Sequence, residues 1–309
     1  MRPFPRRIYS AGASGVNARG AALSRGPGQS ECNTFVRDNV RRTVRDTYTH
    51  GHHESVLRSH RWRTAENSAA YLLPFLRPGL RLLDVGCGPG TITLDLAARV
   101  APGGTVGVDR EAGVVAEAQR LLDSRPMPGV EFRTADAYAL AFDDESFDIV
   151  HAHQLLQHLT DPVAALVEMR RVLRSGGVLA VRDGDYGGFV WAPSDPLLDR
   201  WLELYHDVCR RNGGDADAGR SLLGWAQQAG FTEIEPSSST WTFADPDSRR
   251  WWGELWAERV LSSALAEQAV VYGLSSRDEL SAIAAAWREW LEQDDGFFLV
   301  VHAELIARR

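Results

Sequence analysis

The sequence predicts an α/β protein built on a doubly wound, mostly parallel sheet, with a helical insertion between its last two strands. Three observations predict it. From Leu80 onward, short apolar runs that read as strands alternate with stretches of helical period. The first of these strands, Leu80 to Val85, runs into a glycine loop that opens a helix. A second strand, Thr105 to Val108, then ends on the carboxylate of Asp109, 19 residues beyond Gly90.

Residues 1–33 read as a tail. The first thirty contain five Arg, four Ser and no acid, and show no apolar period. An over-extended start fits this composition, and so does a mitochondrial transit peptide. Val36, Val40 and Val44 predict a short helix within Thr34–Tyr48, broken by T-Y-T-H-G-H-H-E at 47–54. A second helix is expected over Ser55–Phe75, closed by Pro74 and Pro78. Strands follow at 81–85, 104–108, 130–133, 147–152 and 177–183, with helices at 90–100, 111–123 and 161–174. Further helices are expected at 194–212 and 217–229, and strands at 231–243 and 296–307. The implied organisation is N-terminal helices capping the site (34–77), a ligand-binding core (78–245), a helical insertion (246–294) and a last core strand (295–309). Trp251, Trp252, Trp256, Trp287 and Trp290 lie in the insertion and Trp241 just before it, six of the ten tryptophans. Trp252 and Trp256 share one helical face, as do Trp287 and Trp290. These rings would form an aromatic wall over an apolar pocket, or would fill a helical core.

Composition sets limits. With 44% hydrophobic and 24% charged residues, the chain is an ordinary globular one. No apolar run approaches the ~20 residues of a membrane-spanning helix. Cys32, Cys87 and Cys209 lie too far apart for a C-x-x-C pair, so neither a disulfide framework nor a zinc site is expected, and no other metal set appears. A cytoplasmic location is favoured over a mitochondrial one. All 34 basic residues are arginine, which excludes Schiff-base and P-loop lysine chemistry. The net charge is −7. Residues 1–50 hold nine Arg against Glu31, Asp38 and Asp46, leaving −13 on the rest. An acidic body argues against a nucleic-acid partner.

The glycine loop Asp84-Val85-Gly86-Cys87-Gly88-Pro89-Gly90-Thr91 has G-x-G-x-G spacing; Thr91 stands where a dinucleotide fingerprint needs its last glycine. With Val106-Gly107-Val108-Asp109, Thr134-Ala135-Asp136-Ala137 and Met169–Val181 (M-R-R-V-L-R-S-G-G-V-L-A-V), the chain resembles the class I S-adenosylmethionine-dependent methyltransferases. It is most similar to the small-molecule branch of ubiquinone and menaquinone biosynthesis, strongly over residues 55–185. The resemblance implies a seven-stranded Rossmann-like sheet with an antiparallel last strand and S-adenosyl-L-methionine as cofactor. It implies that the loop from Gly86 to Gly90 cradles the methionine part, flanked by Asp84, Cys87 and Arg110. Asp109 would hold the ribose, Asp136 and Ala137 the adenine, and Gln154 would lie near the sulfonium.

The residues themselves leave roles open. Asp109 could be a helix cap, and Cys87 a small packed residue. A base helps only if the acceptor carries a proton to lose. His151 and His153 fall on one face of the fourth strand, and His153 is the preferred base; His158 reads as structural. Asp183, Asp185 and Tyr186 sit in a glycine-rich loop after the fifth strand, where Asp185 is a second catalytic candidate and Tyr186 a substrate contact. Trp252 and Trp256 are the other substrate candidates. Tyr48, His50, His52 and His53 would cap the cofactor or form a surface turn. The expected activity is methyl transfer to oxygen, carbon or nitrogen of a small, largely apolar acceptor. A peptide or protein acceptor, or a cofactor-binding module without catalysis, is the alternative.

Overall fold

The computed structural model describes residues 46–51 and 53–309. The tail, most of the helix expected at 34–48, and His52 lie outside the described residues.

The helix expected over 55–75 is divided. Helix α1 (Glu54–Arg61) and helix α2 (Ala65–Ser68) are separated at Trp62, and a single 3-10 turn spans Leu73–Phe75. The break has a local cause: Thr64 and Asn67 form a reciprocal capping box that starts a new helix three residues after α1 ends. Alternation then follows as expected. Strand β1 (Leu82–Val85), helix α3 (Thr91–Val100), strand β2 (Thr105–Asp109), helix α4 (Ala112–Ser124), strand β3 (Val130–Thr134), strand β4 (Phe147–His153), helix α5 (Pro162–Val172) and strand β5 (Leu173–Gly184) make the parallel body. Strand β6 (Val190–Ala192), helix α6 (Pro196–Arg211), helix α7 (Ala218–Gln228) and strand β7 (Glu233–Phe243) follow. The tryptophan-rich segment resolves into helices α8 (Pro246–Ser262), α9 (Ala264–Val271) and α10 (Arg277–Leu291), and strand β8 (Phe297–Arg308) ends the fold.

Among the described residues the sheet has eight strands, in the order β3-β2-β1-β4-β5-β8, with β7 on the far side of β8. Strand β8 runs antiparallel to β5, β6 and β7. The eighth strand is the short β6, which extends the line of β5: residues 302–308 of β8 pair with β5, and residues 297–299 with β6. The sequence offered no signal for it, because three residues carry no period. Leu82, Leu83, Asp84 and Val85 are all buried, as a central parallel strand covered on both faces requires.

Apolar packing is layered. Leu83, Val150, Leu166, Met169 and Leu179 pack on one face of the sheet, and Leu82, Ile92, Leu96 and Ile149 on the other. A third cluster joins Trp201, Trp252, Trp256, Trp287, Trp290 and Phe298 between α6, α8, α10 and β8. Three helices and the rim of the sheet are thus welded by indole contacts such as Trp201–Trp256 at 4.5 Å and Trp201–Trp287 at 5.0 Å.

Gly90 caps α3 at φ +84°, and a Cβ there would stand 2.7 Å from Phe132 Cζ and 3.1 Å from Ala118 Cβ. Gly90→Ala combines a left-handed backbone with overpacking, so it is expected to cost about 1–3 kcal/mol. A urea midpoint equal to wild type would refute this.

Candidate functional site

The carboxyl ends of β1, β2 and β4 open into one cleft. Its outer half is polar. Gly86, Cys87 and Gly88 turn from β1 into α3, and Asp109 sits across from them at the tip of β2. The Asp109 carboxylate accepts the Gly88 N–H at 3.1 Å and the Glu111 N–H at 3.0 Å, so it ties the glycine loop to the start of α4. Arg110, Asp136 and Ala137 complete this rim. Arg110 faces the carboxylate of Asp46 at 3.6 Å, while Asp136 accepts the Tyr138 N–H at 3.0 Å.

Asp84 lies beneath the loop. It is buried and accepts hydrogen bonds from His151 Nδ1 at 2.7 Å and Thr93 Oγ1 at 2.5 Å. Its carboxylate is therefore occupied by β4 and α3, and it holds the loop from below. Cys87 is buried against Leu94, Ala118 and Phe132, and burial pushes its thiol well up, as befits a packing residue. A Cβ on Gly88, which has φ +55°, would meet nothing closer than His60 Nδ1 at 4.0 Å. The loop backbone thus faces open cleft, with Asp109 opposite. An adenosyl group with an amino-acid tail fits these donors and acceptors.

The inner half is aromatic. Trp62, Trp241, Trp251, Trp252, Trp256, Tyr186 and Phe189 line it. Trp252 stacks on Phe243 at 4.4 Å with its indole nitrogen unbonded, and it is 5% exposed, so it belongs to the core as well as to the wall. Trp256 is likewise buried. Trp287 and Trp290 do not reach the cleft; they back the wall from α10. Tyr186 stacks on Tyr205 at 4.0 Å, and both hydroxyls converge on His50 Nε2, at 3.4 and 3.0 Å.

A group of buried histidines also lines the cleft. His153 is 6% exposed and neither of its ring nitrogens makes a hydrogen bond. Burial, and then Arg63 and Arg182, hold its pKa well below the usual histidine range. His50 is lowered in the same way, by burial and then Arg259. His158 is pushed down to about 3 by burial and Arg63. All three are neutral near pH 7. Gln154 adopts φ +51° at the end of β4; its Oε1 accepts Arg63 Nη2 at 2.5 Å and its amide donates to His302 Nε2 at 2.9 Å.

Several expectations change here. Asp185 does not line the cleft. It forms a two-pronged ion pair with the Arg220 guanidinium on α7 and accepts the Arg220 N–H at 3.0 Å, which removes it as a catalytic group. Asp183 is also turned inward, accepting the Gln157 N–H at 3.1 Å, and burial raises its pKa to about 7. His158, read as structural, lines the cleft. Arg63 and Arg259 were missed, although Arg259 lies three residues beyond Trp256 and seven beyond Trp252, on the face of α8 that faces the cleft. Among the described residues no group of three His, Cys, Asp or Glu side chains is placed to hold a metal ion, and no helix is long and apolar enough to cross a membrane.

A methyltransferase-domain family model matches residues 76–230. An uncharacterized methyltransferase of Schizosaccharomyces pombe is 34% identical over 270 residues, covering 85% of this chain and 96% of its own. A demethylmenaquinone methyltransferase of Beutenbergia cavernae is 37% identical over 129 residues, 42% of this chain and 50% of its own. Among solved structures, the YcgJ protein of Bacillus subtilis superposes with a TM-score of 0.52 at 19% identity, covering 79% of this chain and 99% of that one, a likeness of fold.

Proposed function

The chain belongs to the class I S-adenosylmethionine-dependent methyltransferases, and on that premise we propose that it methylates a small, largely apolar acceptor bound in the aromatic half of the cleft. The observation that carries this reading is the continuity of the two halves: a glycine loop and Asp109 on one side, a wall of indole and phenol rings on the other. Similarity to a demethylmenaquinone methyltransferase supports a small-molecule acceptor.

In this reading Asp109 holds the ribose hydroxyls and the loop backbone from Gly86 to Gly90 the methionine part. Asp136 and Ala137 face the adenine, and Gln154 the sulfonium end. The cofactor, when bound, supplies a methyl group on a sulfonium sulfur that is already electrophilic. The protein's own contribution is alignment, worth on the order of 7–11 kcal/mol, and exclusion of water by the ring wall. The helices of residues 246–291 carry part of that wall, and act here as a lid. His153, neutral and unbonded at both nitrogens, would in this reading take a proton from an acceptor that must lose one.

The test is turnover to S-adenosylhomocysteine against a panel of quinones, phenols and polyketides. Absence of turnover with every one, alongside turnover on peptides, would overturn the acceptor class. Trp252→Ala would also remove core, at about 3–5 kcal/mol. Trp251 is only half-buried and lies against Trp62 at 5.1 Å, so it probes the wall more cleanly. Trp251→Ala is expected to lower kcat/KM about tenfold, that is ~1.4 kcal/mol, and to leave S-adenosylhomocysteine affinity unchanged. A parallel fall in both constants would show that the ring supports the cofactor half instead.

A further inference from the structure

Arg259 is an unusual wall residue for an apolar pocket. It is 4% exposed, and its guanidinium carbon lies 4.6 Å from the Trp256 ring centre. Nη2 donates to Ser59 Oγ at 2.9 Å and to the Ser55 carbonyl at 3.2 Å. Nε is buried without a partner. No carboxylate among the described residues stands within ion-pair distance of it. Its neighbour Glu258 turns to the outer side of α8 and pairs with Arg58 at 2.9 Å. The surrounding groups do not compensate the charge. Burial raises Tyr48 and Tyr186 to about 12, which keeps both phenols neutral, and His50 is neutral as well.

A second guanidinium aggravates this. Arg63 lines the same cleft, its Nε is buried without a partner, and burial, with Arg259 adding to it, lowers its pKa to about 10. Arg63 is tied to Gln154, at the junction with the glycine-loop half. Arg259 lies deeper, among Trp256, His50 and the tyrosines. A buried cation without a counter-ion costs several kcal/mol. None of the acidic residues among the described ones is placed there. The cofactor does not supply the balance, because S-adenosylmethionine carries one carboxylate against an ammonium and a sulfonium.

We infer that the acceptor is a flat, largely apolar molecule bearing an anionic oxygen group, a carboxylate or an ionised enol or phenol, and that Arg259 receives it as the residue that sets substrate specificity. Arginine suits this role: its Nε–H is left to donate to an anionic oxygen, its charge is permanent, and its face rests on an indole. The inference rests on the acceptor reading above.

The test uses the full chain saturated with S-adenosylhomocysteine, so that the carboxylate of the cofactor product is already in place. The probes are 2-naphthoate and its neutral isostere 2-naphthamide, titrated by calorimetry. Wild type is expected to bind naphthoate at least tenfold more tightly than naphthamide. Arg259→Gln should abolish that preference by weakening naphthoate alone, with S-adenosylhomocysteine affinity unchanged, and Arg259→Lys should keep most of it. Equal binding of the two probes by wild type, or binding of neither, overturns the inference. So does an Arg259→Gln variant that keeps the preference, or one that loses S-adenosylhomocysteine instead, which would make Arg259 a cofactor residue. If Arg259→Gln does not fold, the wild-type ratio and Arg259→Lys decide. A wild type that binds no S-adenosylhomocysteine would fail the underlying reading, an outcome distinct from any of these.

Discussion

Asp109→Ala is expected to weaken S-adenosylmethionine binding by more than a hundredfold. Two losses combine. The carboxylate would no longer accept the ribose hydroxyls, each such charge-assisted hydrogen bond being worth about 1.5–3 kcal/mol. The same carboxylate accepts the Gly88 and Glu111 N–H groups, so its removal also frees the glycine loop from α4. Asp109→Asn keeps an acceptor and should fall between the two. Calorimetry on variants shown to be folded measures both constants. Equal affinity in wild type and Asp109→Ala would remove Asp109 from the site, and tighter binding of NAD than of S-adenosylmethionine by wild type would remove the cofactor assignment.

That prediction uses the part of the molecule that was most legible in the sequence. Gly86, Gly88 and Asp109 face one cleft, and their meeting there was legible because strand, turn and carboxylate are local features at fixed spacing. Asp185 was misread because its partner Arg220 lies 35 residues away, and no local pattern announces an ion pair closed by a turn. The inner wall was half legible. Helical spacing put Trp252 and Trp256 on one face, which the structure confirms, but the same face carries Arg259, and a charged residue in an apolar stripe ordinarily reads as solvated surface. Trp62 and Trp241 reach the cleft only because the chain breaks between α1 and α2 and because β7 pairs along β8. Long-range pairing of that kind leaves no periodic trace.

Burial of histidines in the cleft carries a consequence for stability. His50, His153 and His302 have pKa values well below the ordinary 6.5, chiefly through burial, and His158 lies at about 3. In the unfolded chain each takes up a proton near pH 6.5, while in the folded protein each stays neutral. The unfolded state therefore binds more protons below that pH, and stability falls as pH falls. Asp183 works in the opposite sense. Its folded pKa of about 7 lies above its unfolded value, so it adds stability as pH drops from 7 towards 4. The surface carboxylates with lowered pKa, such as Glu54 and Asp245, act only below about pH 4.5 and leave this window untouched. The histidines outnumber the aspartate, so unfolding takes up protons as the pH drops below 6.5 and stability is lost there. Urea midpoints are expected to be nearly flat from pH 8 to 7 and to drop steeply from 6.5 to 5.5, with His158→Gln reducing the slope by one proton, ~1.4 kcal/mol per unit. Midpoints that stay level down to pH 5 would mean that these imidazoles are protonated in the folded state, and His153 would then have no lone pair with which to serve as a base.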